Sequence, residues 1–106
     1  MKSPDPYVYA WAFVVRPERQ AEFERIYCPE GAWVQLFRKG RGYIDTLLLK
    51  DRHQADRYLT VDRWESEAAY RAFRQDHAAE YAALDASCEG LTIEERLVGE
   101  FGQVAT

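Results

Sequence analysis

The segment that decides the fold runs Tyr58-Leu-Thr-Val-Asp-Arg-Trp64-Glu-Ser66-Glu-Ala-Ala-Tyr70-Arg-Ala-Phe73. Its first seven residues alternate between two rows, which is the period of a β-strand. One row holds Tyr58, Thr60, Asp62 and Trp64, and the other holds Leu59, Val61 and Arg63. Ser66 can accept a hydrogen bond from a free amide, and the acid Glu67 suits a first helical turn. The segment therefore predicts a strand that passes directly into a helix capped by Ser66.

The predicted helix carries one stripe of large side chains. They recur every three or four residues, which is the helical period. The stripe consists of Tyr70, Phe73, His77, Tyr81, Leu84 and Cys88. Gly90 follows as a stop signal. The pattern predicts a single long helix from Ser66 to about Gly90.

The rest of the chain predicts three further strands and one broken helix. Residues 7–15 alternate as a strand that ends before Pro17, and two helical pieces follow, separated by Pro29 and Gly31. Residues 43–49 and 91–101 alternate again, and the charged residues 50–57 form a hairpin loop. In the last strand one row is predicted to hold Leu91, Ile93, Leu97 and Phe101.

The predicted order of elements is βαββαβ, the pattern of a ferredoxin-like α+β fold. In that fold a four-stranded antiparallel sheet carries its helices on one face and leaves the other open. Apolar residues occupy both rows of the first strand, and Leu47 and Leu49 share a row of the second, so the open face would be a large apolar patch. We expect a homodimer that stacks two open faces. Residues 1–106 should form a single domain with a core over about 7–101.

Composition argues against several classes of partner. The chain of 106 residues has 18 acidic and 14 basic side chains, a net charge of -4, and its arginines are dispersed. Nucleic acid and anionic membranes are therefore unexpected partners. No apolar run suits a signal peptide or a membrane span, so a cytoplasmic location is expected. Cys28 and Cys88 should be free thiols, and His53 and His77 lack metal-site spacing, so no metal is expected.

The junction Asp62-Arg63-Trp64-Glu65-Ser66-Glu67-Ala68-Ala69-Tyr70 with Phe73, the βαββαβ order and the split first helix resemble the antibiotic biosynthesis monooxygenase family. The resemblance extends over about residues 7–101 and implies the dimeric α/β barrel of that superfamily. It implies no cofactor, because the superfamily includes cofactor-free oxygenases of polycyclic phenols. Haem-degrading members use an asparagine, and this chain contains none, so that mechanism is disfavoured.

The resemblance also implies a pocket between sheet and helices. Trp64 and Tyr70 match pocket residues of the quinone-forming oxygenases, and Thr60 replaces an asparagine found there. We expect the catalytic residues to be Tyr70, His77 and Asp62. We expect the substrate-binding residues to be Trp64, Thr60, Phe73 and Trp11. Ala10 and Ala12 are expected to leave space for a ring system.

Each predicted role has a structural alternative. Trp64 would fill the seam between helix and sheet without any ligand, and Tyr70 and His77 can be core residues of the stripe. A buried Asp62 must either be paired, with Arg63 or Arg96, or have a raised pKa, and the ion pair is the preferred interpretation.

The functional prediction is a cofactor-independent monooxygenase acting on a small aromatic phenol or quinone-like compound. One alternative is a non-catalytic dimer of the same fold that binds a small aromatic molecule. Another is an isomerase or lyase of the superfamily, which would consume no oxygen. The preference for the oxygenase rests on family resemblance.

Overall fold

A computed structural model describes residues 5–104 of the chain. The strands are β1 (Tyr7–Val15), β2 (Tyr43–Lys50), β3 (Arg57–Trp64) and β4 (Thr92–Gly102). The helices are α1 (Gln20–Tyr27), α2 (Ala32–Phe37), α3 (Glu67–Asp76) and α4 (Ala78–Ser87), and a 3-10 turn (Pro17–Arg19) precedes α1. The predicted order of elements is confirmed.

The four strands form one antiparallel sheet in the order β2-β3-β1-β4, as the ferredoxin-like prediction requires. Residues directly opposite each other on paired strands point to the same face. Tyr58 lies opposite Phe13, and Thr60 lies opposite Trp11. The row of Tyr58, Thr60, Asp62 and Trp64 is buried beneath the helices. The core therefore lies between this face of the sheet and the helical layer.

The junction from β3 to α3 forms as predicted, but the long helix after it does not. The Ser66 hydroxyl oxygen accepts a hydrogen bond from the Ala69 amide at 3.1 Å, which confirms the N-cap. The helix is interrupted at His77, whose backbone leaves the α region at φ -123° and ψ 30°. The His77 side chain bonds Glu80 in the first turn of α4 at 2.8 Å. The break lets α4 pack Tyr81 against Trp33, with ring centroids 5.0 Å apart.

The predicted row of β4 is wrong because this strand contains bulges. Leu97 lies opposite Trp11 on the helix side, whereas Phe101 lies opposite Val8 on the open side. The register shift between these pairs inserts an extra residue into β4, and one extra residue reverses the face of every residue beyond it. Two side chains predicted to share a face therefore lie on opposite faces.

The open face of the sheet carries an exposed apolar surface, as predicted. Leu47, Leu49 and Phe101 are 55%, 45% and 51% exposed. Ala10 and Ala12 lie opposite Val61 and Leu59 on this same face. They cannot make room for a ring system beneath the helices, which corrects the sequence-based expectation. Within residues 5–104, no helix is long and apolar enough to cross a membrane.

Candidate functional site

A cavity of about 280 Å³ lies between the sheet and the helices. This volume is near the lower end of the roughly 300–1,000 Å³ range of small-molecule sites. Its walls are mainly aromatic rings: Tyr9, Trp11 and Phe13 from β1, and Tyr27, Trp33, Phe37 and Tyr81 from the helices. Its polar side chains are Thr46, Thr60, Asp62, Arg74, Asp85 and Glu95. Such a cavity suits a flat aromatic molecule that carries a few polar groups.

Asp62 lies on the sheet side of the cavity and is 5% exposed. Strand pairing places it between Tyr9 on β1 and Thr46 on β2. The Thr46 hydroxyl donates a hydrogen bond to the Asp62 carboxylate, and the Tyr43 hydroxyl lies 2.7 Å from the Thr46 oxygen. The Thr46 hydroxyl thus links the Asp62 carboxylate to the hydroxyl of the half-buried Tyr43.

The preferred interpretation of Asp62 as an ion-paired acid is wrong. Arg63 pairs with Asp45 at 2.7 Å, and Arg96 lies opposite Ala12 on the open face. In the described part of the chain, no lysine, arginine or histidine nitrogen lies within 4.0 Å of the Asp62 carboxylate. The alternative applies instead, because burial raises the pKa of Asp62 to about 6, against the lowering effect of the Thr46 hydrogen bond. Asp62 is therefore mostly ionised at pH 7, and it is a stronger base than an exposed aspartate.

Arg74 provides the positive charge of the cavity. Its guanidinium lies 3.8 Å from the centre of the Tyr81 ring, and it donates a hydrogen bond to the Tyr70 hydroxyl at 3.0 Å. Partial burial opposes the charge of Arg74, but the bond to Tyr70 and the neighbouring phenols of Tyr81 and Tyr9 outweigh it and raise its pKa. Stacking and one hydrogen bond therefore hold this cation at the cavity wall.

Two further carboxylates, Asp85 and Glu95, line the cavity wall. Glu95 belongs to β4 and lies opposite Phe13 of β1, and Asp85 belongs to α4. Burial raises the pKa of Glu95, and the negative charge of Asp85 adds to this effect. The wall of the cavity thus carries two acids in addition to Asp62 and the cation Arg74.

The structure brings three of the seven predicted site residues together. Asp62, Thr60 and Trp11 all line the cavity, and Thr60 lies directly opposite Trp11. They belong to the neighbouring central strands β1 and β3, which fixes their spacing. Alternation along β3 correctly placed Thr60 and Asp62 on one row, and the pairing of β1 with β3 adds Trp11 to their face.

The other four predicted residues do not line the cavity. Trp64 is fully buried and Phe73 is 2% exposed, and their rings pack together with centroids 5.0 Å apart. Tyr70 lies at the outer surface and contacts the cavity through Arg74. His77 lies in a separate groove, where its ring nitrogen bonds Glu80.

Several cavity residues were not identified from the sequence. Thr46 and Arg74 are the most important, since they are the bonding partner of Asp62 and the charge at the wall. Arg74 follows Tyr70 by four residues, so the two share one side of a helix. This spacing was the available signal. Thr46 had no comparable signal, because its position opposite Asp62 depends on the register with which β2 pairs with β3.

The titratable residues of the described chain form no arrangement suited to a metal. Within residues 5–104, no group of three or more His, Cys, Asp and Glu side chains could hold an ion. The polar groups of the cavity are instead one buried acid, two threonine hydroxyls and the charged groups at its wall.

The family model for antibiotic biosynthesis monooxygenases matches residues 6–83 of the chain. The chain belongs to the antibiotic biosynthesis monooxygenase family. No functionally curated protein matches the sequence. The matched region includes the whole strand-to-helix junction, so the predicted resemblance is confirmed.

Solved structures show the same fold as this antibiotic biosynthesis monooxygenase family member. A Pseudomonas aeruginosa protein aligns with a TM-score of 0.71 and 16% identity, covering 99% of this chain and 100% of that one. A protein of unknown function from Nitrosomonas europaea aligns with a TM-score of 0.72 and 16% identity, covering 99% and 95%. SnoaB from Streptomyces nogalater, a cofactor-independent oxygenase, aligns with a TM-score of 0.61 and 21% identity, covering 96% of each chain. At these identities the likeness establishes the fold.

Proposed function

We propose that the protein is a cofactor-independent monooxygenase that oxidises an electron-rich aromatic phenol, with Asp62 as the catalytic base. The observation that carries the proposal is a buried carboxylate in the wall of an aromatic cavity, with no cationic partner among residues 5–104. A base with a pKa near 6 is well matched to proton transfer at neutral pH. Family membership and the likeness to SnoaB support the same class of reaction.

The reaction can proceed without a cofactor because a phenolate is itself a reductant. Asp62 takes the proton, and the resulting anion passes one electron to dioxygen. The organic radical and superoxide combine at a ring carbon to give a hydroperoxide. Asp62 returns its proton to the peroxide oxygen, and the hydroperoxide then loses its terminal hydroxyl together with the remaining hydrogen of that carbon as one molecule of water, which leaves a carbonyl group. In total CH₂ and O₂ become C=O and H₂O, and the four electrons lost by the substrate are those that dioxygen gains.

The residues around Asp62 could orient the substrate and provide a route for the proton that Asp62 accepts. Thr60 and Trp11 form adjacent parts of the cavity wall, so a ring can lie on Trp11 with an oxygen near the Thr60 hydroxyl. The Thr46 and Tyr43 hydroxyls connect Asp62 with the edge strand β2. We assign Thr60 and Trp11 to substrate binding and the Thr46–Tyr43 pair to proton exchange.

Oxygen uptake with 1,8-dihydroxyanthracen-9(10H)-one tests the proposal. The wild-type protein should consume one O₂ per quinone formed, and the rate should rise with pH through about 6 as Asp62 loses its proton. Asp62→Asn should reduce the enzymatic rate at least about a hundredfold. Asp45→Asn, which changes an exposed carboxylate on the open face, should keep it. An unchanged rate in Asp62→Asn, or hydrogen peroxide in place of water, would contradict the proposed reaction.

We propose that Tyr70 positions Arg74 and that His77 takes no part in the reaction, in contrast to the catalytic roles expected from the sequence. Tyr70 holds Arg74 at the cavity, so Tyr70→Phe should reduce oxygen uptake beyond any effect on stability. His77 lies in another groove, so His77→Gln should leave oxygen uptake unchanged. Equal rates in wild type and Tyr70→Phe, or a severe loss in His77→Gln, would reverse these assignments.

A second candidate function is a non-catalytic dimer that binds small aromatic molecules. It is favoured by Thr60, because a hydroxyl replaces the amide that the related oxygenases use to orient a carbonyl. Such a protein would bind 1,8-dihydroxyanthraquinone but would not accelerate oxygen uptake with the anthrone. Binding without turnover would therefore support this candidate over the oxygenase.

We also propose that two copies pair through the open sheet face. Leu47, Leu49 and Phe101 lie on that face with Val8 and Val61, and the Asp45–Arg63 ion pair lies beside them. An exposed apolar area of this kind is covered in most soluble proteins. Stacking two such faces would bury it in a twofold interface.

A further inference from the structure

Arg74 differs from the other basic residues because it is the one lysine or arginine that lines the cavity in the described part of the chain. Arg19, Arg57, Arg63 and Arg71 each pair with a carboxylate at the surface. Within residues 5–104, no carboxylate oxygen lies within 4.0 Å of the Arg74 guanidinium. Its one side-chain bond is to the neutral Tyr70 hydroxyl. Arg74 therefore retains most of its five N–H donors for a ligand.

The guanidinium of Arg74, an exposed residue at the edge of the cavity, is held by two aromatic neighbours. It lies 3.8 Å from the centre of the Tyr81 ring and 5.9 Å from that of Tyr70, and the bond to the Tyr70 oxygen sets its rotation. A planar guanidinium held in this way loses little freedom when it binds a carboxylate. The stacked guanidinium can therefore bind a carboxylate at a low cost in conformational entropy.

The charges around the cavity also favour one orientation of an anionic ligand. The groups that influence Arg74 are the phenols of Tyr70, Tyr81 and Tyr9. Asp85 and Glu95 also line the cavity wall, and within residues 5–104 neither has a carboxylate oxygen within 4.0 Å of the Arg74 guanidinium. An anionic group would be attracted towards Arg74 and repelled by the two acids. The cavity therefore favours one orientation of a ligand that has a single anionic end.

Tyr9 lies beside both the proposed base and the residue that holds Arg74. It is directly opposite Asp62 on the neighbouring strand, and its ring centroid is 5.0 Å from that of Tyr70, whose hydroxyl accepts the bond from Arg74. Asp62 and Arg74 both line the cavity, so one ligand can contact the base and the cation.

We propose that Arg74 is the specificity-determining residue of the cavity and that the substrate is a fused-ring phenol bearing a carboxylate, which the Arg74 guanidinium binds. The proposal rests on the proposed function only in taking the ligand to be an aromatic phenol. The net charge of the chain is -4, so long-range electrostatics do not favour an acidic ligand. A preference for the acid must come from a local contact.

Two stable quinones that differ in one carboxylate provide the test. They are 1,8-dihydroxyanthraquinone and its 3-carboxylic acid, and their binding is followed by quenching of tryptophan fluorescence at pH 7.5. The wild-type protein should bind the acid about tenfold or more tightly than the neutral compound. Arg74→Gln should remove this preference, so that the two quinones bind with affinities within about twofold of each other. Arg74→Lys, which keeps the charge but loses the planar fork, should retain part of it.

Arg71→Gln is the matched control, because Arg71 lies on the same helix but pairs with Glu67 outside the cavity. It should bind both quinones like the wild type. Equal wild-type affinities for the two compounds, binding of neither, or a preference that persists in Arg74→Gln would overturn the proposal. Because neither quinone is oxidised, a preference for the acid without oxygen uptake by the anthrone would refute the oxygenase and leave the role of Arg74 intact. Oxygen uptake by the anthrone together with equal affinities for the two quinones would refute the role of Arg74 and leave the oxygenase proposal intact.

Discussion

Replacing Asp62 with asparagine should inactivate the protein and also stabilise it at neutral pH. Asp62 is 5% exposed, and no cationic side chain of the described residues pairs with it. Because burial raises its pKa to about 6, the folded state binds a proton more tightly than the unfolded chain does. The free energy of unfolding therefore falls as the pH rises through the window between the two pKa values. Asparagine fills the same space, can accept the Thr46 hydrogen bond and carries no charge.

The size of the effect follows from the two pKa values. Aspartate has an ordinary pKa of 3.8, and Asp62 has a pKa of about 6. At about 1.4 kcal/mol for each tenfold change in proton affinity, this difference corresponds to about 3 kcal/mol lost between pH 4 and pH 7. Asp62→Asn should unfold with a free energy up to about 3 kcal/mol higher than the wild type at pH 7. Near pH 4, where the wild-type carboxyl is protonated, the two proteins should differ little.

Urea denaturation at half-unit intervals from pH 4 to pH 8 measures this difference directly. Subtracting the wild-type curve from the Asp62→Asn curve removes the contribution of the titrating groups that do not interact with Asp62, whereas Asp45, whose charge helps to raise the pKa of Asp62, contributes to the difference. Asp45→Asn provides a control of opposite sign, since the bond from Arg63 lowers the pKa of Asp45 and its removal should destabilise the protein at neutral pH. A variant less stable than wild type at pH 7, or a difference that does not change with pH, would refute the reasoning about Asp62.

Three further predictions concern the cap, the open face and the core. Ser66→Ala should lower the free energy of unfolding by about 1 kcal/mol, and Ser66→Asp should restore it, both measured in urea. Leu47→Glu should convert a dimer into a species near 12.4 kDa in sedimentation velocity, and a monomeric wild type would contradict the proposed pairing. Trp64→Phe should lower the stability by about 2 kcal/mol yet leave the affinity for 1,8-dihydroxyanthraquinone unchanged, because Trp64 is fully buried outside the cavity wall. Weaker quinone binding at unchanged stability would place Trp64 in the site instead.

The sequence predicted the elements well because their signals are local. Alternation defined β1 and β3, and a serine before an acid and two alanines defined the start of α3. The row of Thr60 and Asp62 followed from the same alternation. These features depend on neighbours within a few residues, so a single sequence contains the information.

The remaining features depend on how distant segments meet. Asp62 bonds Thr46 and not Arg63, because alternation within β3 sends Arg63 to the opposite face and the register of β2 brings Thr46 alongside. The break at His77 has no glycine or proline to announce it and depends on contacts of α4 with α2. Arg74 looks like a surface residue in the sequence, and stacking on Tyr81 places it at the cavity. Strand register and helix packing thus determine where the charged groups of the site lie and which groups they contact.

The bulge at Val98 in β4 makes the two parts of this strand contribute to opposite faces of the sheet. Before the bulge, Glu95 and Leu97 lie beside the cavity residues Phe13 and Trp11, and after it Phe101 faces the exposed side. Deleting Val98, which lies at the register shift, would exchange the faces of the residues beyond it and direct Phe101 towards the helices. The spacing of a single residue therefore keeps the proposed ligand site and the proposed dimer face on separate surfaces, so that substitutions could alter either one without disturbing the other.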